Sequence, residues 1–99
     1  MLPTMASRNR FHKCGLLNVQ SVGNKTIEIR ELIEQFKFDI FMVTETWLKE
    51  GAGDDAKIKE MLPDTHYFYH VPRIEQVGGG VGIFLSKQYT NIKVINRKT

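Results

Sequence analysis

The chain is poor in the features that mark several large protein classes. Its one cysteine among 99 residues, Cys14, excludes an internal disulfide and with it a stapled extracellular scaffold. Cys14 sits in an apolar stretch, where a free cysteine usually behaves as a small buried hydrophobe. No apolar run approaches the roughly 18 residues needed to span a bilayer, and the amino-terminal segment lacks a secretory apolar stretch. An intracellular protein without a membrane partner is expected. There is no internal repeat, no low-complexity segment, no Walker A lysine pattern and no GxGxxG spacing. The net charge is only +3. Lys and Arg are dispersed, mildly enriched at Arg8, Arg10, Lys13, Lys93, Arg97 and Lys98, so the basic stripe of a dedicated nucleic-acid binder is missing.

What is present suits one small domain. A hydrophobic share of 41% and a charged share of 25% are ordinary for a globular protein and supply enough apolar side chains for a core. Residues 1–13 are polar, basic and aperiodic, and are expected to form a flexible leader. Cys14-Gly-Leu-Leu-Asn-Val, closed by the turn formers Gln20 to Asn24, is too short for a stable helix and fits a buried strand. From Lys25 to Phe38 the apolar residues Ile29, Leu32, Ile33 and Phe36 fall at helical spacing opposite a charged side. This predicts an amphipathic helix with those residues in the core, its first turn capped by Asn24 or Thr26. Ile40 to Thr44 is nearly continuous in apolar residues, which predicts a strand covered on both faces.

Strand, helix, strand makes a βαβ unit whose two parallel strands end side by side, near Asn18 and Glu45. Lys49 to Asp55 is Gly- and charge-rich and is expected to be loop, with a short helix starting at Asp54 or Asp55 and stopped by Pro63. Tyr67 to Val71 and Val81 to Leu85 read as an antiparallel pair joined through Gly78-Gly79-Gly80, and Ile92 to Ile95 as a weaker last strand. His66 and His70 would lie on one face of a strand with backbones about 14 Å apart. That separation argues for surface histidines rather than a zinc pair. Trp47, directly after a strand, is expected to pack, with base stacking as the functional alternative.

Asn18 and Glu45 are the informative pair. In open α/β sheets, sites form beyond the carboxyl ends of strands, and an amide and a carboxylate at adjacent ends face one crevice. Glu45 could ligate a hard cation such as Mg²⁺, which takes oxygen ligands and keeps several waters. Asn18 could hold a phosphate oxygen or a water. The bland alternative is a turn-closing Asn18 and a solvated Glu45.

The blocks Leu17-Asn-Val-Gln-Ser21, Phe38-Asp-Ile-Phe-Met-Val-Thr-Glu-Thr-Trp-Leu48 and Gly78-Gly-Gly-Val-Gly-Ile-Phe-Leu-Ser86 stand in that order along the chain. Together they resemble the endonuclease/exonuclease/phosphatase superfamily, most closely the endonuclease domains of non-LTR (LINE-type) retrotransposons. The resemblance runs from about Leu16 to Lys87. It implies an α/β (α+β) fold, the N-terminal part of a four-layer αββα sandwich opening with the βαβ unit and followed by the antiparallel hairpin. Residues 14–99 would then be a partial domain truncated at its C-terminus, with its inner face and a sheet edge exposed and hence marginally stable. The resemblance further implies Mg²⁺-dependent phosphodiester hydrolysis, DNA as partner and, for chromosomal DNA, a nuclear location. Glu45 matches the metal-ligating glutamate, Asn18 the strand-end asparagine of the active site, and Arg73 an arginine ahead of the glycine-rich strand that would contact substrate. Two departures stand out. Some branches carry an aspartate where this chain has Gln20, and the general-base histidine and Asp-x-Asn pair expected downstream are not in this chain, which predicts little activity alone. Two alternatives stay open: another phosphoesterase of the same fold (an abasic-site nuclease or a phosphoinositide phosphatase), and a noncatalytic nucleic-acid-binding α/β module.

Overall fold

A computed structural model describes residues 12–49, 52–71 and 79–89. Arg73 and the weak strand over 92–95 lie outside the described residues, as does residues 1–11 of the expected leader. The described elements are β1 (Cys14–Asn18), α1 (Thr26–Phe36), β2 (Ile40–Thr44), α2 (Ala52–Met61), β3 (His66–Val71) and β4 (Val81–Ser86). They build one mixed sheet in the order β1-β2-β4-β3. β1 and β2 run parallel, with Asn18 opposite Thr44. β4 runs antiparallel to both β2 and β3. The α/β class, the βαβ opening and the antiparallel hairpin are therefore as the sequence predicts. Among the described residues no helix is long and apolar enough to cross a membrane.

Alternation along each strand divides the sheet into two unlike faces. Phe41 and Val43 of β2 and Phe84 of β4 join Ile29, Ile33, Val19, Val22, Leu48 and Met61 in the core beneath the helices. An aromatic row crosses this face, with ring centroids 5.0 Å apart for Phe38 and Phe41, 6.2 Å for Phe41 and Phe84, and 4.6 Å for Phe84 and Phe68. Gly82 makes room for it, since a Cβ there would sit 2.6 Å from the Phe68 ring. The other face carries Leu16, Met42, Tyr67, Val71 and Val81, all exposed. The face that a second sheet covers in the expected sandwich is thus open among the described residues.

Several expectations need correction. Among the described residues β1 is an edge strand with a neighbour on one side only; Leu16 is 69% exposed and Cys14 exposed as well, so its apolar residues do not make it a buried strand. β2 is central but covered on one face, because Met42 points to the open side and is exposed. Phe36 is also exposed. It ends α1 beside Phe38, with the Lys13 ammonium 5.3 Å from its ring centroid. Neither Asn24 nor Thr26 caps α1. The N-cap position is held by Lys25 without a side-chain hydrogen bond, and the Thr26 hydroxyl instead donates to the Glu60 carboxylate on α2. α2 starts at Ala52, inside the stretch expected to be loop. Asp54 and Asp55 lie in its first turn, where acids complement the exposed amides. His66 is buried rather than on the surface, its ring spanning the Thr65 hydroxyl at 2.9 Å and the Phe38 carbonyl at 2.7 Å. His70 is half-buried, stacked on Phe68 at 5.3 Å.

Candidate active site at the strand ends

The parallel register of β1 and β2 sets the two strand ends level. Asn18 is the last residue of β1, and Glu45 follows Thr44, the last residue of β2. Beyond these ends the two chains stay tied: the Val19 amide donates to the Thr44 carbonyl (3.0 Å), Ser21 to Glu45 (2.7 Å) and Val22 to Thr46 (3.1 Å). The Lys25 ammonium reaches back to the Val19 carbonyl at 2.5 Å, which pins the β1–α1 loop against the same end. On the other side the amides of Thr46 and Trp47 donate to the carbonyls of Gly80 and Gly79, at 3.2 and 2.9 Å. One short segment, Thr44 to Trp47, therefore bridges the β1–α1 loop and the glycine-rich entry to β4.

Backbone strain concentrates here. Gln20 (φ 48°), Ser21 (φ 89°), Glu45 (φ 55°) and Trp47 (φ 58°) all have left-handed φ without being glycine. Such residues cost roughly 1–3 kcal/mol each and persist where the surroundings over-determine them. The hydrogen bonds just described supply that over-determination.

The structure brings Asn18 and Glu45 into direct contact. Asn18 Nδ2 donates to Glu45 Oε2 at 2.7 Å. An ionised carboxylate only accepts, which fixes the amide orientation and leaves Asn18 Oδ1 and the second N–H turned elsewhere. Glu45 Oε1 accepts no hydrogen bond among the described residues. The pair thus presents an oriented carboxylate with one oxygen open, beside an amide oxygen. A single carboxylate with room for water suits Mg²⁺, which is usually held by one or two carboxylates, several waters and substrate phosphate. The donor set does not suit a protein-enclosed metal: among the described residues no group of three or more His, Cys, Asp or Glu side chains is placed to hold one. Gln20 is exposed at the same end and brings no acid. Gly79 and Gly80 (φ 83° and 90°) border the site.

Trp47 is 38% exposed, whereas Thr46 and Leu48 beside it are buried. Glu45, Thr46, Trp47 and Leu48 do not alternate polar with apolar, so the residue types carry no signal for this placement. Sequence reasoning missed Lys25, because its role depends on a carbonyl six residues earlier.

No protein-family profile and no curated protein sequence matches the chain. Among solved structures it is similar to the crystal structure of AP endonuclease LMAP from Leishmania major. The fold is shared. The TM-score is 0.63 at 20% identity, over 76% of this chain and 24% of that one. The chain thus spans about a quarter of the length of the endonuclease it matches.

Proposed function

We propose that the chain is part of a Mg²⁺-dependent phosphodiesterase, a DNA-nicking endonuclease of the retrotransposon kind, in which Glu45 holds the cation and Asn18 orients it. The observation that carries this reading is the 2.7 Å contact between Asn18 and Glu45 at two adjacent parallel strand ends. The fold shared with an AP endonuclease supports the phosphodiesterase class, and the order of the three sequence blocks supports the retrotransposon branch. Residues 14–99 form part of a larger domain in this reading, with Arg73 contacting substrate.

Glu45 Oε1 is the available ligand. Asn18 Nδ2 prevents the carboxylate from rotating away, a charge-assisted bond to a ligating group. The cation, when bound, stabilises charge developing on phosphate oxygens. The chain by itself is expected to nick supercoiled plasmid weakly or not at all. The general-base histidine and the Asp-x-Asn pair that the resemblance implies are not matched in this chain, and a missing general base typically costs about 100- to 10,000-fold.

Metal binding gives the sharper test, since it does not depend on turnover. Addition of Mn²⁺ should broaden the NMR signals of Asn18, Glu45 and their neighbours first, and Glu45→Ala should abolish that selectivity. Broadening centred instead on Asp54 and Asp55 of α2 would refute the assignment. The neighbouring AP endonuclease favours one second reading, an abasic-site nuclease. Comparing a duplex containing an abasic site with intact supercoiled DNA, on the complete domain, separates the two.

A further inference from the structure

Trp47 is the only tryptophan in the chain, and its setting is unusual for so large an apolar side chain. It stands two residues beyond Glu45 on the same clamped segment. Thr46 and Leu48, each 1% exposed, anchor the segment from below, and the Thr46 hydroxyl accepts from the Leu48 amide at 3.3 Å. Trp47, 38% exposed, lies two residues from the half-buried Glu45, with the buried Thr46 between them. Its backbone is left-handed, φ 58°, a conformation that is a genuine outlier for a bulky residue. The conformation is held by the bond from its amide to the Gly79 carbonyl, 2.9 Å. Among the described residues the indole takes part in no ring contact and no hydrogen bond. A partly exposed aromatic on a strained backbone, two residues from the proposed phosphate site, has the properties of a stacking surface. Bases present flat π-faces, and stacking them on aromatic side chains is worth enough to position a strand without reading its sequence.

We propose that Trp47 is a nucleobase-stacking residue that holds an unpaired base next to the phosphate engaged at Asn18 and Glu45. This rests on the phosphodiesterase reading and adds to it the recognition of an unstacked nucleotide. Stacking needs a free base face, so single-stranded DNA should be engaged in preference to an intact duplex.

The single tryptophan makes the test direct. The full chain, expected to cleave little or not at all alone, is titrated in Mg²⁺ with an end-labelled oligothymidylate of about ten nucleotides. Binding is read from label anisotropy while indole emission and its quenching by acrylamide are followed in parallel. Expected are emission quenching over the same concentrations as binding and loss of acrylamide access in the complex. Trp47→Ala should weaken binding by about five- to a hundredfold, while Trp47→Phe, which keeps an aromatic face, should retain most of it. Binding with unchanged emission and unchanged acrylamide access in the unmodified chain would overturn the stacking role, and needs no variant that might misfold. Absence of binding together with selective Mn²⁺ broadening at Glu45 would sink the stacking role and spare the metal pocket. Absence of both would remove the phosphodiesterase reading as well.

Discussion

Two acids flank the interior strand β2, Asp39 just before it and Glu45 just after it, and their surroundings differ in a way that separates scaffold from candidate site. Both Asp39 oxygens are engaged: Oδ2 accepts from the Lys13 amide at 2.7 Å and Oδ1 from the Gln88 side chain at 2.5 Å. Its backbone is tied too, the amide to the Lys13 carbonyl at 2.7 Å and the carbonyl to the Ser86 amide at 2.8 Å. That end of the sheet is a clasp joining β1, β2 and β4. Among the described residues the one non-glycine left-handed residue near it, Lys37, is the C-cap of α1, where such a conformation is common. At the other end Glu45 has one oxygen held and one open, and it is itself left-handed together with three non-glycine neighbours, Gln20, Ser21 and Trp47. A satisfied acid fastens the fold. A half-satisfied one, oriented at a conformational cost, is available to a ligand.

The largest expected effect breaks the clasp. Asp39→Ala removes two hydrogen bonds to a charged group, at about 1.5–3 kcal/mol each by the usual magnitudes. Because both bonds are exposed and losses are not additive, a net destabilisation of about 2 kcal/mol is expected, seen as a lower urea midpoint at unchanged slope. Glu45→Ala should move the midpoint by less than about 0.5 kcal/mol. Equal losses at the two positions would erase the distinction between the ends.

Next in size is Asn18→Ala. With its orienting donor gone, Glu45 should bind Mn²⁺ about 10- to 100-fold more weakly, while the melting curve stays close to that of the parent. An unchanged affinity would mean that the Asn18 contact does not hold the carboxylate for metal. Smaller again is Glu45→Gly. Glycine adopts φ 55° without penalty, so this variant should be more stable by about 1 kcal/mol even though its metal binding is lost. A destabilised Glu45→Gly would show that the left-handed backbone carries no strain.

The sequence made some of this contrast legible and hid the rest. Strand-end logic placed Asn18 and Glu45 side by side, because a parallel βαβ unit aligns the ends of its strands whatever surrounds them. Helix α1 was legible from Ile29, Leu32 and Ile33, which repeat with the helical period. Helix α2 began earlier than expected because Ala52, Gly53, Asp54 and Asp55 look like loop, and the acids gain their preference only once a helix end exists. The edge position of β1 and the open side of β2 depend on which elements lie alongside, information that a strand's own residues do not contain. The burial of His66 depends on the Phe38 carbonyl, 28 positions away. Asp39 and Glu45 are likewise indistinguishable as letters, since their partners come from distant segments.

The smallest effect concerns the tether that carries the site segment onward into α2. The Lys49 amide donates to Asp54 Oδ2 at 2.6 Å, closing the loop that follows Trp47 and Leu48. This backbone hydrogen bond, opposed by partial burial and helped by the Lys57 ammonium at 3.3 Å, holds the Asp54 carboxyl below its ordinary value of 3.8. A carboxyl whose folded pKa is depressed binds protons more readily when unfolded, so its stabilisation is complete above 3.8 and is lost as pH falls through the lower folded value. Lys57 is largely exposed and its ion pair contributes little, so the backbone bond carries most of the effect. Asp54→Asn should therefore cost no more than about 1 kcal/mol at neutral pH. The gap between variant and parent should narrow only in acid, below the ordinary carboxylate range, when urea midpoints are followed across pH. A gap that closed near neutrality would assign the titration to another group and leave the loop's tether unexplained by Asp54.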